Sequence, residues 1–480
     1  MRLNYLANAI GLILMYISLV LLAPAAVACI YKDWFSILPF VCASLIAITL
    51  GSGLKMSSQT ASDLNDIKKS EGLFVVAASW VVFAVISAIP YLFYGLSPLN
   101  AMFEAASGIT TTGATILTRF DYPKAFFFWR SFTQWLGGLG IIVLFVAVLP
   151  QFAVAGRQLF FAETPGPTED KITPRIKNTA SAIWKIYFVW TLLETILLVL
   201  AGMPVFDAVC NSLSTLSAGG FSPHPQSILG YNSNLINWIL VIFMFLSGTS
   251  FMLQYSVITK KNFSLFFKNE EFKMYFCTAC LFSLLVAASL IINNEYPVAE
   301  GITAAFYQVV ANITSTASMS IDYTQWDFTA KLILFITLFT GACASSAGGG
   351  IKLTRWLLIF KTMKNELIKI LHPHAVRNIK LDGKTVAPDV IGQIVVFVFF
   401  YFLMFGLTAI LIALFEQNAS IGLVGSISTL GNTGILFNGT FDALQPSTKI
   451  IMIINMIVGR LELIPFLVMF QRDFWSAVRE

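Results

Sequence analysis

Eight stretches of this 480-residue chain, between 19 and 29 residues long, carry no charged side chain: 3–31, 34–54, 73–96, 131–154, 235–258, 274–292, 332–351 and 390–415. A helix rises about 1.5 Å per residue, so roughly 20 apolar residues cross a hydrocarbon core, and each stretch is long enough. Two more segments are long enough but carry ionisable groups: 186–206 with Glu194, and 450–471 with Arg460 and Glu462. Ten helical crossings predict an all-α polytopic membrane protein. Composition agrees, because 57% of residues are apolar and 11% charged, against about 25% charged in a soluble domain. A net charge of +5 in such a chain reports orientation rather than nucleic-acid binding.

The connections alternate in charge. Taking every second one from the N-terminus collects 22 Lys and Arg, and the intervening set holds five: Lys32, Arg119, Lys124, Lys331 and Lys449. Basic connections stay on the cytoplasmic side, so both termini are expected there. Ala26-Val27-Ala28 has the form of a signal-cleavage site, but a charge-free run of 29 residues exceeds a signal h-region and reads as a retained span. The cysteines at 29, 42, 210, 277, 280 and 343 lie in or beside apolar stretches and read as small hydrophobes.

The four non-cytoplasmic connections after the third, fifth, seventh and ninth spans each hold an apolar segment too short to cross. They predict re-entrant half-helices. Pro98, Pro204 and Pro297 suit a first helical turn, and Ser420 suits an N-cap. Each segment ends in a Thr/Ser/Gly-rich stretch, and alignment puts Gly113, Gly220, Ala317 and Gly434 in one column, separated by 107, 97 and 117 residues. A period near 107 repeated four times is an internal repeat of span, half-helix, turn and span. Non-helical backbone at membrane depth must be buried in protein or line a watery cavity. A half-helix that stops midway aims its negative end at the membrane centre, and the turn can offer carbonyls to a dehydrated cation. None of the five-residue turns carries a charged side chain, which suits an alkali-metal ion better than a divalent one. Short Gly/Ser/Thr segments also serve close helix packing, but four at matching positions favour a pore.

The motifs FEAASGITTTGAT (103–115), FWRSFTQWLGGLGIIVL (128–144), AETPGP (162–167), TPRI (173–176), SAGGFS (217–222), GACASSAGGGIK (341–352) and VGRLELIP (458–465) identify the chain as resembling the Trk/Ktr/HKT superfamily of potassium transporters, specifically its Trk-type membrane subunits. The resemblance implies four span, pore-helix, span units at 70–155, 178–262, 270–362 and 386–472, preceded by two additional spans in 1–60. It implies a K+ pathway through each subunit, a homodimer in a bacterial inner membrane, and cytoplasmic nucleotide-binding regulatory subunits (RCK-type, TrkA-like). No organic cofactor is expected, and this chain has no phosphate loop or dinucleotide fingerprint. The implied filter and ion-binding positions are Thr111, Thr112 and Gly113; Ala218, Gly219 and Gly220; Thr316 and Ala317; and Asn432, Thr433 and Gly434.

Two gate elements accompany the filter. Glycines 341, 348, 349 and 350, with Ala344, Ser345 and Ser346 among them, should break the helix of the third unit. Arg460 lies too deep to snorkel easily and should face protein or water; the resemblance puts it on the pathway, facing the broken helix. A structural pair between Arg460 and a carboxylate is the alternative. Ala317 and Ser318 stand where the family usually has glycine and an aromatic, and Ala218 replaces a common threonine. A left-handed angle at Ala317 would cost about 1 to 2 kcal/mol, so the third turn is expected to differ in shape.

Cys277 and Cys280 form a CxxC inside an apolar span and read as core, and His372 and His374 alone do not make a metal site. The basic connection 352–384 is the expected docking surface for a cytoplasmic partner. A sodium-conducting or poorly selective relative is the alternative function, motivated by Ala317. A broken-helix transporter for an organic solute is a third reading, although its repeats would usually be twofold. A membrane enzyme fails for want of a deep acid, base or nucleophile cluster in the spans.

Overall fold

The computed structural model describes residues 3–58, 69–140, 176–372, 378–461 and 466. Their regular structure is helical apart from one two-stranded hairpin. The first eight helices are α1 (Leu3–Val20), α2 (Leu22–Ile30), α3 (Ile37–Ser57), α4 (Lys69–Phe93), α5 (Pro98–Ile109), α6 (Lys124–Gly138), α7 (Ile176–Leu200) and α8 (Val205–Leu216). Then come α9 (Asn234–Gly248), α10 (Phe251–Lys260), α11 (Ser264–Lys268), α12 (Glu270–Asn293), α13 (Val298–Ile313) and α14 (Phe328–Thr337). The last four are α15 (Leu353–Leu371), α16 (Pro388–Glu416), α17 (Ala419–Leu430) and α18 (Pro446–Leu461).

Among the described residues, six helical stretches are long and apolar enough to cross a membrane: α1 with α2, α3, α4, α7, α12 and α16. Their outer faces are as apolar as their inner ones; Leu403, Leu407, Ile410 and Leu414 of α16 are all exposed, a stripe at helical spacing that lipid covers. The inner faces pack aromatics, with Phe40, Trp80, Tyr91, Phe126 and Trp129 all buried in one cluster. The α1–α3 crossing is close because Gly11 and Gly51 face one another: a β-carbon on either would collide with the other's carbonyl oxygen. Small residues at a crossing let two backbones approach in lipid.

The four short helices α5, α8, α13 and α17 have 12, 12, 16 and 12 residues, and none is long enough to span. Their starts differ from expectation. Pro98 does open α5, behind Ser97, whose hydroxyl accepts the Asn100 N–H. Pro204 and Pro297, however, stand one place earlier, as N-caps. The N-cap of α17 is Asn418 rather than Ser420, with its side chain accepting the N–H groups of Ser420 and Ile421.

Two expected spans are broken. Segment 235–258 bends by 95° between α9 and α10, at Thr249-Ser250. Segment 332–351 is interrupted, as its glycines predict: α14 stops at Thr337 and α15 starts only at Leu353. The first part of the basic connection is thus the helix α15, whose opening residues Leu353, Thr354, Arg355 and Leu358 are buried, whereas Met363, Leu367, Ile370 and Leu371 of its second half are exposed. A hairpin follows, pairing Lys380–Leu381 with Lys384–Thr385 through Asp382 and Gly383, both at positive φ, as a two-residue turn requires. Cys277 is exposed on α12 and so faces lipid rather than core. The AETPGP motif, most of 131–154, His374 and Glu462 lie outside the described residues.

Candidate functional site

The C-terminal ends of the four short helices meet. Each closes with the same pair of hydrogen bonds. In the first, Thr111 N–H reaches the Gly108 carbonyl at 3.0 Å and Thr112 N–H reaches that of Ser107 at 2.9 Å. The pairs Ala218 to Thr215 and Gly219 to Ser214, Ser315 to Asn312 and Thr316 to Ala311, and Asn432 to Thr429 and Thr433 to Ser428 repeat the pattern. This is the Schellman closure, which needs a left-handed residue just past the helix. Thr111, Ala218, Ser315 and Asn432 occupy that position at φ of 57°, 58°, 60° and 53°.

Two residues further on, Gly113, Gly220 and Gly434 are left-handed as well, at 78°, 79° and 68°. Their N–H groups lean on the same carbonyls of Ser107, Ser214 and Ser428 at 3.5, 3.3 and 3.3 Å. Ala317 in the same column does not take a left-handed angle, and the third turn lacks the corresponding bond. The turn is shaped differently, as expected at Ala317, where a left-handed methyl group costs about 1 to 2 kcal/mol and no Schellman bond holds the angle as it does at Ala218.

The turns are in contact around the ring. A β-carbon on Gly113 would collide with the Gly219 carbonyl oxygen and the Ala317 β-carbon, one on Gly220 with the backbone of Ala317 and Ser318, and one on Gly434 with the Thr112 carbonyl oxygen. Asn432 bridges turns directly, donating from Nδ2 to Thr112 Oγ1 at 3.0 Å and to the Met456 carbonyl at 2.9 Å. Thr112 Oγ1 also pairs with Thr110 Oγ1 at 2.8 Å, and Thr316 Oγ1 with Thr314 Oγ1 at 3.0 Å. Thr111, Thr112, Ala218, Thr316, Asn432 and Thr433 are all buried, and none is charged. Closing a helix this way leaves the carbonyls of the turn itself without intrahelical partners, at the negative end of four converging dipoles. Such a ring favours a cation.

The glycine-rich loop between α14 and α15 lies against this ring. Gly349 N–H donates to Ser315 Oγ at 2.6 Å. Added β-carbons at Gly348 and Gly349 would crowd the Thr314 and Gly431 carbonyls. The loop is tied into itself by Gly341 N–H to the Ile351 carbonyl at 2.8 Å and by Ser346 Oγ to the Cys343 carbonyl at 2.5 Å. Ser345 and Gly350 supply its left-handed corners, and Lys352 Nζ closes onto the Gly348 carbonyl. Ala344 N–H donates to Glu271 Oε1 at 2.6 Å, and Thr354 donates to the same oxygen.

The loop also meets the bend. Cys343 N–H reaches the Gly248 carbonyl at 3.0 Å, Ala347 N–H that of Ser247 at 3.2 Å, and Phe251 N–H that of Ser345 at 3.0 Å. Gln254 satisfies the rest of the broken helix by donating to the Leu246 and Thr249 carbonyls at 2.8 and 3.1 Å. Arg460 reaches the loop from α18. Its Nη1 donates to the Ala347 carbonyl at 3.0 Å, and its Nη2 to those of Gly138, at 2.8 Å, and Gly137. It thus ties the loop to the end of α6 through carbonyls.

Reasoning from sequence passed over several of these groups. The run Ser247-Gly248-Thr249-Ser250 was the available signal for the bend. Glu104 and Arg130 stand inside motifs 103–115 and 128–144, and a charge inside an apolar segment is itself a signal. They form a buried ion pair at 2.7 Å. Among the described residues, no group of three or more His, Cys, Asp or Glu could hold a metal ion.

Comparison with known proteins fits this geometry. Residues 38–477 match the model of the family described as "TrkH: Cation transport protein". The chain is 35% identical over 486 residues to the Trk system potassium uptake protein TrkH of Escherichia coli K12, covering 99% of this chain and 100% of that one. Its identity to the Salmonella typhimurium protein of the same name is 34% over 484 residues, with the same coverage. The crystal structure of the potassium transporter TrkH from Vibrio parahaemolyticus superposes with a TM-score of 0.89 at 30% identity, over 99% of this chain and 100% of that one. A multi-pass helical fold, a ring of half-helix ends without charge and matches along its full length to transport proteins rather than enzymes agree: the chain belongs to the TrkH family of cation transport proteins.

Proposed function

We propose that this chain is the membrane subunit of a Trk potassium uptake system and passes K+ through the ring formed by the turns at Thr111–Gly113, Ala218–Gly220, Ser315–Ala317 and Asn432–Gly434. The observation that carries the reading is the fourfold Schellman closure, which leaves turn carbonyls converging where no charged side chain competes. Carbonyl oxygens replace the hydration shell of a monovalent cation. The family relatives named above are potassium uptake proteins, and the substrate is taken from them. Four units at 70–155, 178–262, 270–362 and 386–472 then surround one pathway behind two extra spans.

The loop from Gly341 to Gly350 and the guanidinium of Arg460 form the gate. A fixed positive charge tied to the loop opposes a cation until the loop moves. Control comes from the cytoplasmic side, where both termini lie, through nucleotide-binding regulatory subunits acting on a homodimer. The exposed part of α15 and the hairpin after it are their docking surface, which a deletion that leaves the partner bound would exclude.

The test is rubidium-86 uptake into liposomes holding the purified protein, with K+ or Na+ as competitor. Competition by K+ and not by Na+ is expected; absence of cation flux with the loop deleted would reject the reading. A second reading, weak discrimination between K+ and Na+, is favoured by the odd geometry of Ala317, and equal competition by the two ions would select it.

A further inference from the structure

Behind the first two turns lies a charged device that the pore reading does not use. Glu104 on α5 and Arg130 on α6 are buried, at 0% and 1% exposure. The carboxylate takes Arg130 Nε at 2.7 Å on Oε1 and the Ile116 N–H at 3.1 Å on Oε2, while the Thr115 hydroxyl donates to it at 3.1 Å. The guanidinium continues outward. Nη2 donates to Thr115 Oγ1 at 3.1 Å, Nη1 to the Ser222 carbonyl at 3.3 Å, and its centre lies 4.0 Å from the centroid of the Phe221 ring. One helical turn on, Gln134 Oε1 accepts the Phe221 N–H at 3.0 Å, and its side chain fills the space a β-carbon on Gly219 would need.

One side chain pair therefore holds both strands leaving the ring: residues 115–116 after the first turn and 221–222 after the second. The equivalents of Glu104, nine residues before Gly220, Ala317 and Gly434, are Asn211, Gln308 and Gly425. All three are uncharged, so among the described residues the ion pair is particular to the first two turns, next to the irregular third.

We infer that Glu104, Arg130 and Gln134 are positioning residues that set the spacing of the first two turns and thereby the discrimination among monovalent cations; this rests on the pore reading above. Removing one partner of a buried ion pair leaves an uncompensated charge. Here that charge would sit behind the cation pathway, so geometry and charge separate by substitution. Glu104→Gln exposes incoming cations to an unbalanced guanidinium. Arg130→Lys keeps the charge balance and loses the fork that spans Thr115 and Ser222. Glu104→Gln with Arg130→Met removes both charges and approximates both shapes.

The experiment is rubidium-86 uptake into liposomes competed by K+, Na+ and Cs+, for wild type and these variants, with size-exclusion profiles in detergent. Glu104→Gln is expected to lose most flux. Arg130→Lys and the double variant should retain measurable flux while the ratio of K+ to Na+ competition changes about tenfold. Gln134→Met, which breaks only the Phe221 bond, should change it in the same direction by less. Wild-type ratios in Arg130→Lys, Gln134→Met and the double variant would reduce the pair to packing and overturn the inference. Loss of uptake in the wild type as well would instead overturn the pore reading.

Discussion

Ala317 shows how one methyl group alters a repeated design. In the other three turns a glycine turns left-handed and its N–H leans back on the half-helix; at Ala317 the angle is refused and the bond is missing. Replacement by glycine removes the steric obstacle, which is worth about 1 to 2 kcal/mol in the left-handed region. Ala317→Gly is therefore expected to let the third turn adopt the geometry of its neighbours and to strengthen K+ competition relative to Na+ in the rubidium assay. An unchanged ratio would mean that the other three turns set the preference alone. The glycine column was legible because glycine is the residue that such angles select. The earlier left-handed column was not legible. Thr111, Ala218 and Ser315 are poor residues for that conformation, and Schellman bonds with surrounding packing hold them there at a cost no sequence pattern reveals.

At the scale of elements, hydropathy located the six spanning stretches among the described residues and missed a bend. Segment 235–258 averages as one apolar run, yet Ser247-Gly248-Thr249-Ser250 leaves it four residues with weak helix preference, and the loop from 341 to 350 supplies competing hydrogen bonds. Gln254 makes the bend affordable in lipid by taking the Leu246 and Thr249 carbonyls. Gln254→Leu strands the Thr249 carbonyl and the Trp190 indole N–H, while the Leu246 carbonyl keeps the Thr249 N–H, at about 1 to 3 kcal/mol for each stranded group. Thermal unfolding in detergent should fall by several degrees, and a change within error would show that other donors replace the amide. The N-terminal end of α14 offers a pH test. Burial disfavours the Asp327 carboxylate, but hydrogen bonds from Asn293, Ser289 and the N–H groups of Thr329 and Ala330 prevail and hold its pKa below the ordinary 3.8. A depressed folded pKa gives stability that is present above the unfolded value and lost as pH falls through the folded one. Asp327→Ala should cost about 1 kcal/mol near neutrality, as the loss of an N-cap does. The gap to wild type should narrow only below about pH 4, and a gap constant down to pH 3 would contradict this.

The whole molecule joins three interruptions of regular structure in one place: the ring of half-helix ends, the bend between α9 and α10, and the loop between α14 and α15. Each was expected or passed over separately. The resemblance put Arg460 against the broken helix, but the part of the bend in this union could not be read from the sequence, because it depends on contacts between residues about a hundred apart, such as Ala347 with Ser247. Two of these contacts hold the same short piece of loop. Arg460 takes the Ala347 carbonyl, and Ser315 takes the Gly349 N–H two residues later. If both restrain one closed loop, then releasing either frees it, and releasing the second adds little. Ser315→Ala and Arg460→Gln should each raise rubidium uptake in the absence of a regulatory partner, and the double variant should raise it by less than the product of the two. Contacts that act through a shared element are non-additive. Independent, multiplying effects would place the serine and the arginine on separate elements, and lowered uptake in both singles would mean that the loop supports the open pathway instead of closing it.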